Sequence, residues 1–230
     1  MQGFLGLRLY IGPLIFLALT CGLAAHAAAA PTPTLFRLTV VGSAHDEWTF
    51  SAAPVTEGEC RRTDTSEGVR DVTFRTKKPV PVRISGGRVL PVVIRGITGT
   101  VTLSGANTTD RVCGTTGTTT TADCAQTTRS FTGATLQASS PMPGVLALKS
   151  VGNVHLATAG CPREPVDVTM RPLGPLPKLL RLPKAALTEQ RLVRITVGAT
   201  RTQRSVYSPP QSGQLDERGQ WSLRFDRAVR

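Results

Sequence analysis

Phe36-Arg37-Leu38-Thr39-Val40 decides the fold of this chain: apolar side chains stand at every second position, with Arg37 and Thr39 between them. A strand turns successive side chains to opposite faces, so the run has one face for a core and one for water. The same phase recurs outward from it. Val72 and Phe74 alternate with Thr73 and Arg75, Val80, Val82 and Ile84 with Pro81 and Arg83, and Val101 and Leu103 with Thr100 and Thr102. Val166, Val168 and Met170 alternate with Asp167 and Thr169, and Val193, Ile195 and Val197 with Arg194 and Thr196; the last run is Trp221-Ser222-Leu223-Arg224-Phe225. Pro79 and Pro81 cannot donate to a ladder, which makes the run from Val80 an edge strand or an extended connection.

Strands with one wet face are the habit of antiparallel sheets packed on one side. Gly86-Gly87, Gly105-Ala106-Asn107 and Pro141-Met142-Pro143-Gly144 supply turns between the runs. The expectation is an all-β protein, an antiparallel β-sandwich of immunoglobulin-like or related type, with residues 30–172 as its body. Residues 173–186 read as a Pro-rich connector, because Pro175, Pro177 and Pro183 spaced through leucines make an extended strap that needs a surface to shield those leucines. Residues 187–230 are too few to carry a core of their own, so they are expected to pack on the body or complete it with C-terminal strands.

Upstream of Phe36 lies a different grammar. Arg8 precedes the apolar run Leu9–Leu19, and the tract Ala24-Ala25-His26-Ala27-Ala28-Ala29-Ala30 follows it. Basic start, apolar middle and small-residue exit are the marks of an export signal over residues 1–29, an N-terminal signal helix cleaved after Ala27 or Ala29. The protein is then secreted or associated with the cell envelope; an uncleaved segment would instead anchor it to the membrane. Twenty-seven Lys and Arg against fifteen Asp and Glu give a net charge of +12, and losing Arg8 with the leader leaves +11. Such a surface attracts polyanions over a range set by salt. No helix or loop concentrates the basic residues, which argues against nucleic acid as the partner.

Cys21 leaves with the leader, and four cysteines remain: Cys60, Cys113, Cys124 and Cys161. An even number in an exported chain reads as two disulfides. The short polar loop between Cys113 and Cys124 favours that pair, leaving Cys60 for Cys161. There is no C-x₂-C spacing and the histidines are isolated, so no metal or cofactor site is indicated.

A search for catalytic constellations finds no G-x-S-x-G elbow, no P-loop and no H-E-x-x-H. His45 falls in Ser43-Ala44-His45-Asp46-Glu47, read as a polar turn between strands, and His155 in Val154-His155-Leu156, read as an outward strand residue. The acidic pairs Asp46-Glu47, Glu57/Glu59 and Asp216-Glu217 also read as solvated loop residues, with nothing to raise a carboxyl by desolvation. Asn107-Thr108-Thr109 matches a glycosylation sequon.

What remains is basic. Arg37, Arg75, Arg83, Arg95, Arg194 and Arg224 occupy the outward phase of their strands, and on a shared sheet they would form a cationic, threonine-lined face able to grip anions through paired guanidinium bonds. The expected function is non-enzymatic binding of an anionic envelope polymer or an acidic exported protein. The alternatives are a secreted protease inhibitor presenting the Cys113–Cys124 loop, or an enzyme with an unrecognised site.

Overall fold

The structure, a computed structural model, describes residues 32–151, 161–183 and 193–228; residues 1–29, read above as an export signal, lie outside them. Six long strands dominate: β1 (Thr34–Ser51), β3 (Cys60–Thr76), β6 (Val92–Cys113), β7 (Thr116–Ser139), β10 (Arg194–Val206) and β11 (Ser212–Arg227). Five short ones accompany them: β2 (Val55–Glu57), β4 (Val80–Ser85), β5 (Arg88–Val89), β8 (Val145–Ser150) and β9 (Leu180–Arg181). The strands are ordered β10-β11-β1-β3-β6-β7-β8-β9, with β2 paired to β3 and with β4 paired to β1 and β5. Every pairing is antiparallel, as the alternation requires. The end strand β9 comes close to β10, so the sheet wraps toward closure around its apolar face.

The core follows from the phase. On β1 the even positions Phe36, Leu38, Val40, Ala44 and Trp48 are buried; on β11 the odd positions Leu215, Trp221, Leu223 and Phe225 are buried beside them. Phe36, Leu38, Phe74, Ile94, Leu136, Leu146 and Phe225 belong to one large cluster, while Trp48, Leu103, Val168 and Leu215 form a smaller one. Across β11-β1-β3-β6-β7 one core row reads Trp221, Gly42, Phe74, Gly99, Phe131. Phe74 lies over Gly42 and Phe131 over Gly99: a Cβ on Gly42 would meet Phe74 Cε2 at 2.7 Å and Gln220 O at 2.6 Å. Large and small residues alternate there, so each phenylalanine ring packs where its neighbour has no side chain.

Three local expectations are corrected. Val166–Met170 is not a strand but a short helix, α1, whose Val168 and Thr169 amides both donate to Pro165 O. Valines two apart over five residues do not separate the two periods, and here Val168 is buried while Val166 and Met170 are exposed. Gly105-Ala106-Asn107 is not a turn; it continues β6 past a register shift between Leu103 and Gly105, a bulge that absorbs one residue. The disulfides also pair differently. Cys60 and Cys113 face each other across β3 and β6, 4.1 Å apart at Cα, and Cys124 bonds Cys161. The sheet register brings Cys60 to Cys113 before loop length has any say. Two disulfides fit an oxidising compartment, and among the described residues no helix is long and apolar enough to cross a membrane.

The Pro-rich stretch lies against the sheet. Leu173, Leu180 and Leu182 are buried in the main core, about 2 kcal/mol of apolar burial each. Trp221 Nε1 donates to Pro175 O (3.2 Å) and Arg201 Nη1 to Leu176 O (2.6 Å), while Leu180–Arg181 pairs with β8. Part of the connector boundary, residues 184–192, lies outside the described residues.

Candidate functional site

Two faces of the sheet carry chemistry. On the core face, Glu217 of β11, Asp46 of β1 and Arg70 of β3 stand side by side in register, between the two apolar clusters. All three are buried. Arg70 Nε donates to Asp46 Oδ2 (2.8 Å), its Nη1 to Val168 O (2.9 Å) and its Nη2 to Arg171 O (3.0 Å), so one guanidinium neutralises Asp46 and ties down the C-terminal carbonyls of α1. Arg171 reaches back to Glu217 Oε2 (3.0 Å) and Asp167 Oδ1 (3.1 Å), and Tyr207 Oη donates to Asp167 Oδ2 (3.3 Å).

The charges do not balance. Asp46, Asp167 and Glu217 face Arg70 and Arg171, three acids to two bases, and neither oxygen of Glu217 accepts a hydrogen bond, Arg171 meeting it as an ion pair alone. Burial pushes the Glu217 carboxyl up to about 7, with Arg171 opposing and Asp46 adding to the rise. Burial likewise raises Asp46, against the pull of Arg70. This overturns the reading of Asp46-Glu47 and Asp216-Glu217 as solvated turn residues: both pairs lie inside long strands, with alternate members on the core side. The Glu217 side chain has no exposed surface, so its chemistry is proton uptake and ion pairing within the protein. Together these contacts hold residues 161–171 on the sheet, aided by Ser66 Oγ donating to Arg163 O (2.7 Å) and the Arg163 amide donating to Asn107 Oδ1 (2.9 Å).

The outer face carries the arginines. All six sequence candidates are exposed, but they divide. Arg194 Nε and Arg224 Nε both donate to Asp226, at 2.6 and 2.9 Å, and pull its carboxyl below the usual range, the Arg194 hydrogen bond being the largest cause. Arg37 and Arg83 instead line a groove of about 1210 Å³ with Arg227 and the prolines Pro33, Pro79 and Pro81. No carboxylate of the described residues lies within ion-pair distance of Arg37, Arg83 or Arg227. Arg95 stands apart, at the irregularity of β6 where the Lys77 amide donates to Gly96 O. Periodicity found Arg37 and Arg83; Arg227, in register with the buried Phe36, stands in the core-side phase, is half-buried, and lines the groove from the end of β11.

Arg75 belongs to a second concavity of about 1240 Å³ on the same outer face. Its lining includes the row in which rings cover Gly42 and Gly99. One wall is a row in register across six strands: Thr200, Gln220, Ser43, Thr73, Thr100 and Ser130. The other wall adds Ser222, Thr98 and Thr132 to Val41 and Arg75. Thr73 and Thr100 share a hydrogen bond of 2.9 Å, and one row further on Thr102 and Thr128 share one of 3.0 Å. His45 is not in a turn but in the middle of β1, its Nδ1 2.8 Å from Asp71 Oδ1 on this outer face. His155 lies outside the described residues.

The Cys113–Cys124 stretch is not a disulfide-closed loop. It is the end of the β6–β7 hairpin, turning at Gly114-Thr115, with Thr108 and Thr121 bonded across it at 3.1 Å. Asn107 of the sequon sits half-buried with its Oδ1 engaged by the Arg163 amide. Among the described residues no group of His, Cys, Asp and Glu could hold a metal ion. Comparison with protein-family models, with curated proteins and with solved structures finds no match, and the reading of function rests on the two outer grooves themselves.

Proposed function

We propose that this is an exported, non-enzymatic β-sandwich protein that binds an anionic polymer of the cell envelope through its outward guanidinium groups. Two disulfides fit the compartment, and residues from both ends of the strand order share one core, as two packed layers do. The observation that carries the reading is the groove of Arg37, Arg83 and Arg227. Each has a fixed positive charge, and among the described residues no carboxylate lines the proline-walled groove, Asp226 across from Arg37 being engaged by Arg194 and Arg224. Arg194 and Arg224 share Asp226, which offsets part of their charge.

The test is co-sedimentation of the purified protein with a teichoic-type polymer, beside the variant Arg37→Ala/Arg83→Ala/Arg227→Ala. The wild type sediments at low salt and is released at high salt, and the variant stays in solution. Sedimentation that salt does not weaken, or that the variant retains, would refute the proposal. An acidic exported protein as partner would show the same salt sensitivity with acidic polypeptide and none with the polymer.

A further inference from the structure

We infer that the polymer is hydroxyl-rich as well as acidic, a glycan or polyol chain whose acidic groups pair with Arg37, Arg83 and Arg227 while its hydroxyl-bearing repeats lie in the serine- and threonine-walled trench. The inference rests on the reading above and narrows its ligand. Both concavities draw on alternate positions of β1: of Arg37, Thr39, Val41 and Ser43, the first belongs to the cationic groove and the last two to the trench, with the Thr39 hydroxyl buried between them. Four residues of strand separate Arg37 from Val41, about 13 Å.

The trench has its own chemistry. Arg75 is its one charged lining residue, in a protein of net charge +12. Its walls are hydroxyls, which donate and accept at the same atom, and the amide of Gln220. A polyphosphate offers such walls acceptors only and a polyglutamate a single amide N–H per repeat; a sugar or polyol offers hydroxyls that supply both halves of each bond. Six strands at about 4.8 Å spacing make the trench about 24 Å long, room for several repeats of an extended chain. The hydroxyls are also set in place before any ligand arrives. Threonine is stiff at χ1, each sits on a paired strand, and Thr73 and Thr100 lock one another, so little side-chain freedom is lost on binding.

The experiment is calorimetric titration of the purified protein with four polymers: polygalacturonate, poly(glycerol phosphate), polyglutamate of matched charge density, and uncharged dextran. The first two distinguish carboxylate from phosphate as the acidic group. The variants are Thr73→Val/Thr100→Val/Thr200→Val, which keeps shape and strand preference while removing three outward hydroxyls, and the triple arginine-to-alanine variant. A hydroxyl-rich polyanion is expected to bind about tenfold or more tighter than polyglutamate, and the valine variant to lose that advantage with polyglutamate binding unchanged. The arginine variant weakens every polyanion. Equal affinity for all polyanions, or a valine variant that keeps the preference, overturns the trench assignment and leaves the cationic groove standing. Polyanion binding indifferent to the arginines overturns the groove itself, and tightest binding to dextran overturns the pairing of the two sites.

Discussion

Replacing Glu217 by glutamine should flatten the pH dependence of stability in a defined window and leave the fold intact. The side chain is buried, in register with Asp46, and Arg171 is shared between it and Asp167. Its carboxyl rises from an ordinary value of 4.5 in the unfolded chain to about 7 in the folded one. A raised carboxyl means that the folded state holds its proton more tightly, so stability is fully present below 4.5 and is lost as pH climbs through 7. At 1.36 kcal/mol per pH unit the loss comes to about 3 kcal/mol. Asp46 is raised as well and acts with the same sign. Asp64 and Asp226 are lowered, and their effect appears only as pH falls through the acid range, outside the window. Glutamine reproduces the protonated carboxyl in shape and charge. Urea unfolding between pH 5 and 8 should therefore show the wild type weakening by about 2.5 kcal/mol with Glu217→Gln much flatter, the two within about 1 kcal/mol of each other at pH 5. A wild type that gains stability across that interval, or a variant with the same slope, would refute the reasoning.

Arg70→Leu leaves Asp46 buried without its partner and frees the carbonyls of Val168 and Arg171, so it should cost about 3–5 kcal/mol and expose residues 163–171 to hydrogen exchange; protection unchanged there would contradict the role given to Arg70. Gly42→Ala drives a methyl into the Phe74 ring and Gln220 O, and should lower the urea midpoint by the equivalent of about 1–3 kcal/mol, whereas a neutral result would mean that the row of rings and glycines is loosely packed. A non-reducing peptide map should return Cys60 joined to Cys113 and Cys124 to Cys161, and recovery of a Cys113–Cys124 peptide would disprove the register of β3 on β6. Cys60→Ser/Cys113→Ser, opening a sequence separation of 53 residues, should cost about 4 kcal/mol.

Alternation in the sequence was enough for strand type and for most of the core, because each run is half-wet and its phase is unambiguous. Phe36, Leu38, Val40, Val72, Phe74, Leu223 and Phe225 all point where the period puts them. What hid the ionic row was chemistry. Asp46 and Glu217 sit in phase with Trp48 and Leu215, but a lone acid at a core position looks like a turn until its partner is seen, and Arg70 is 24 residues from Asp46. The phase of Ala44, Asp46, Trp48 and Phe50 was the available signal, since it carries the buried face straight through the supposed turn. Gly42 and Gly99 escaped for a related reason: glycine punctuates chains more often than it seats a neighbour's ring. The arginines were visible as an outward set, yet which of them stay unpaired depends on Asp226, and the end of β11 that brings Arg227 to the groove is tertiary information.

The most direct measurement of the central claim is the affinity of the purified protein for poly(glycerol phosphate) across a salt series from about 50 to 300 mM, set beside Arg37→Ala/Arg83→Ala/Arg227→Ala. Guanidinium groups with no ion-pair partner among the described residues should make binding fall steeply as salt rises, with a much shallower slope in the variant. A flat salt profile, or identical slopes for the two proteins, would contradict it.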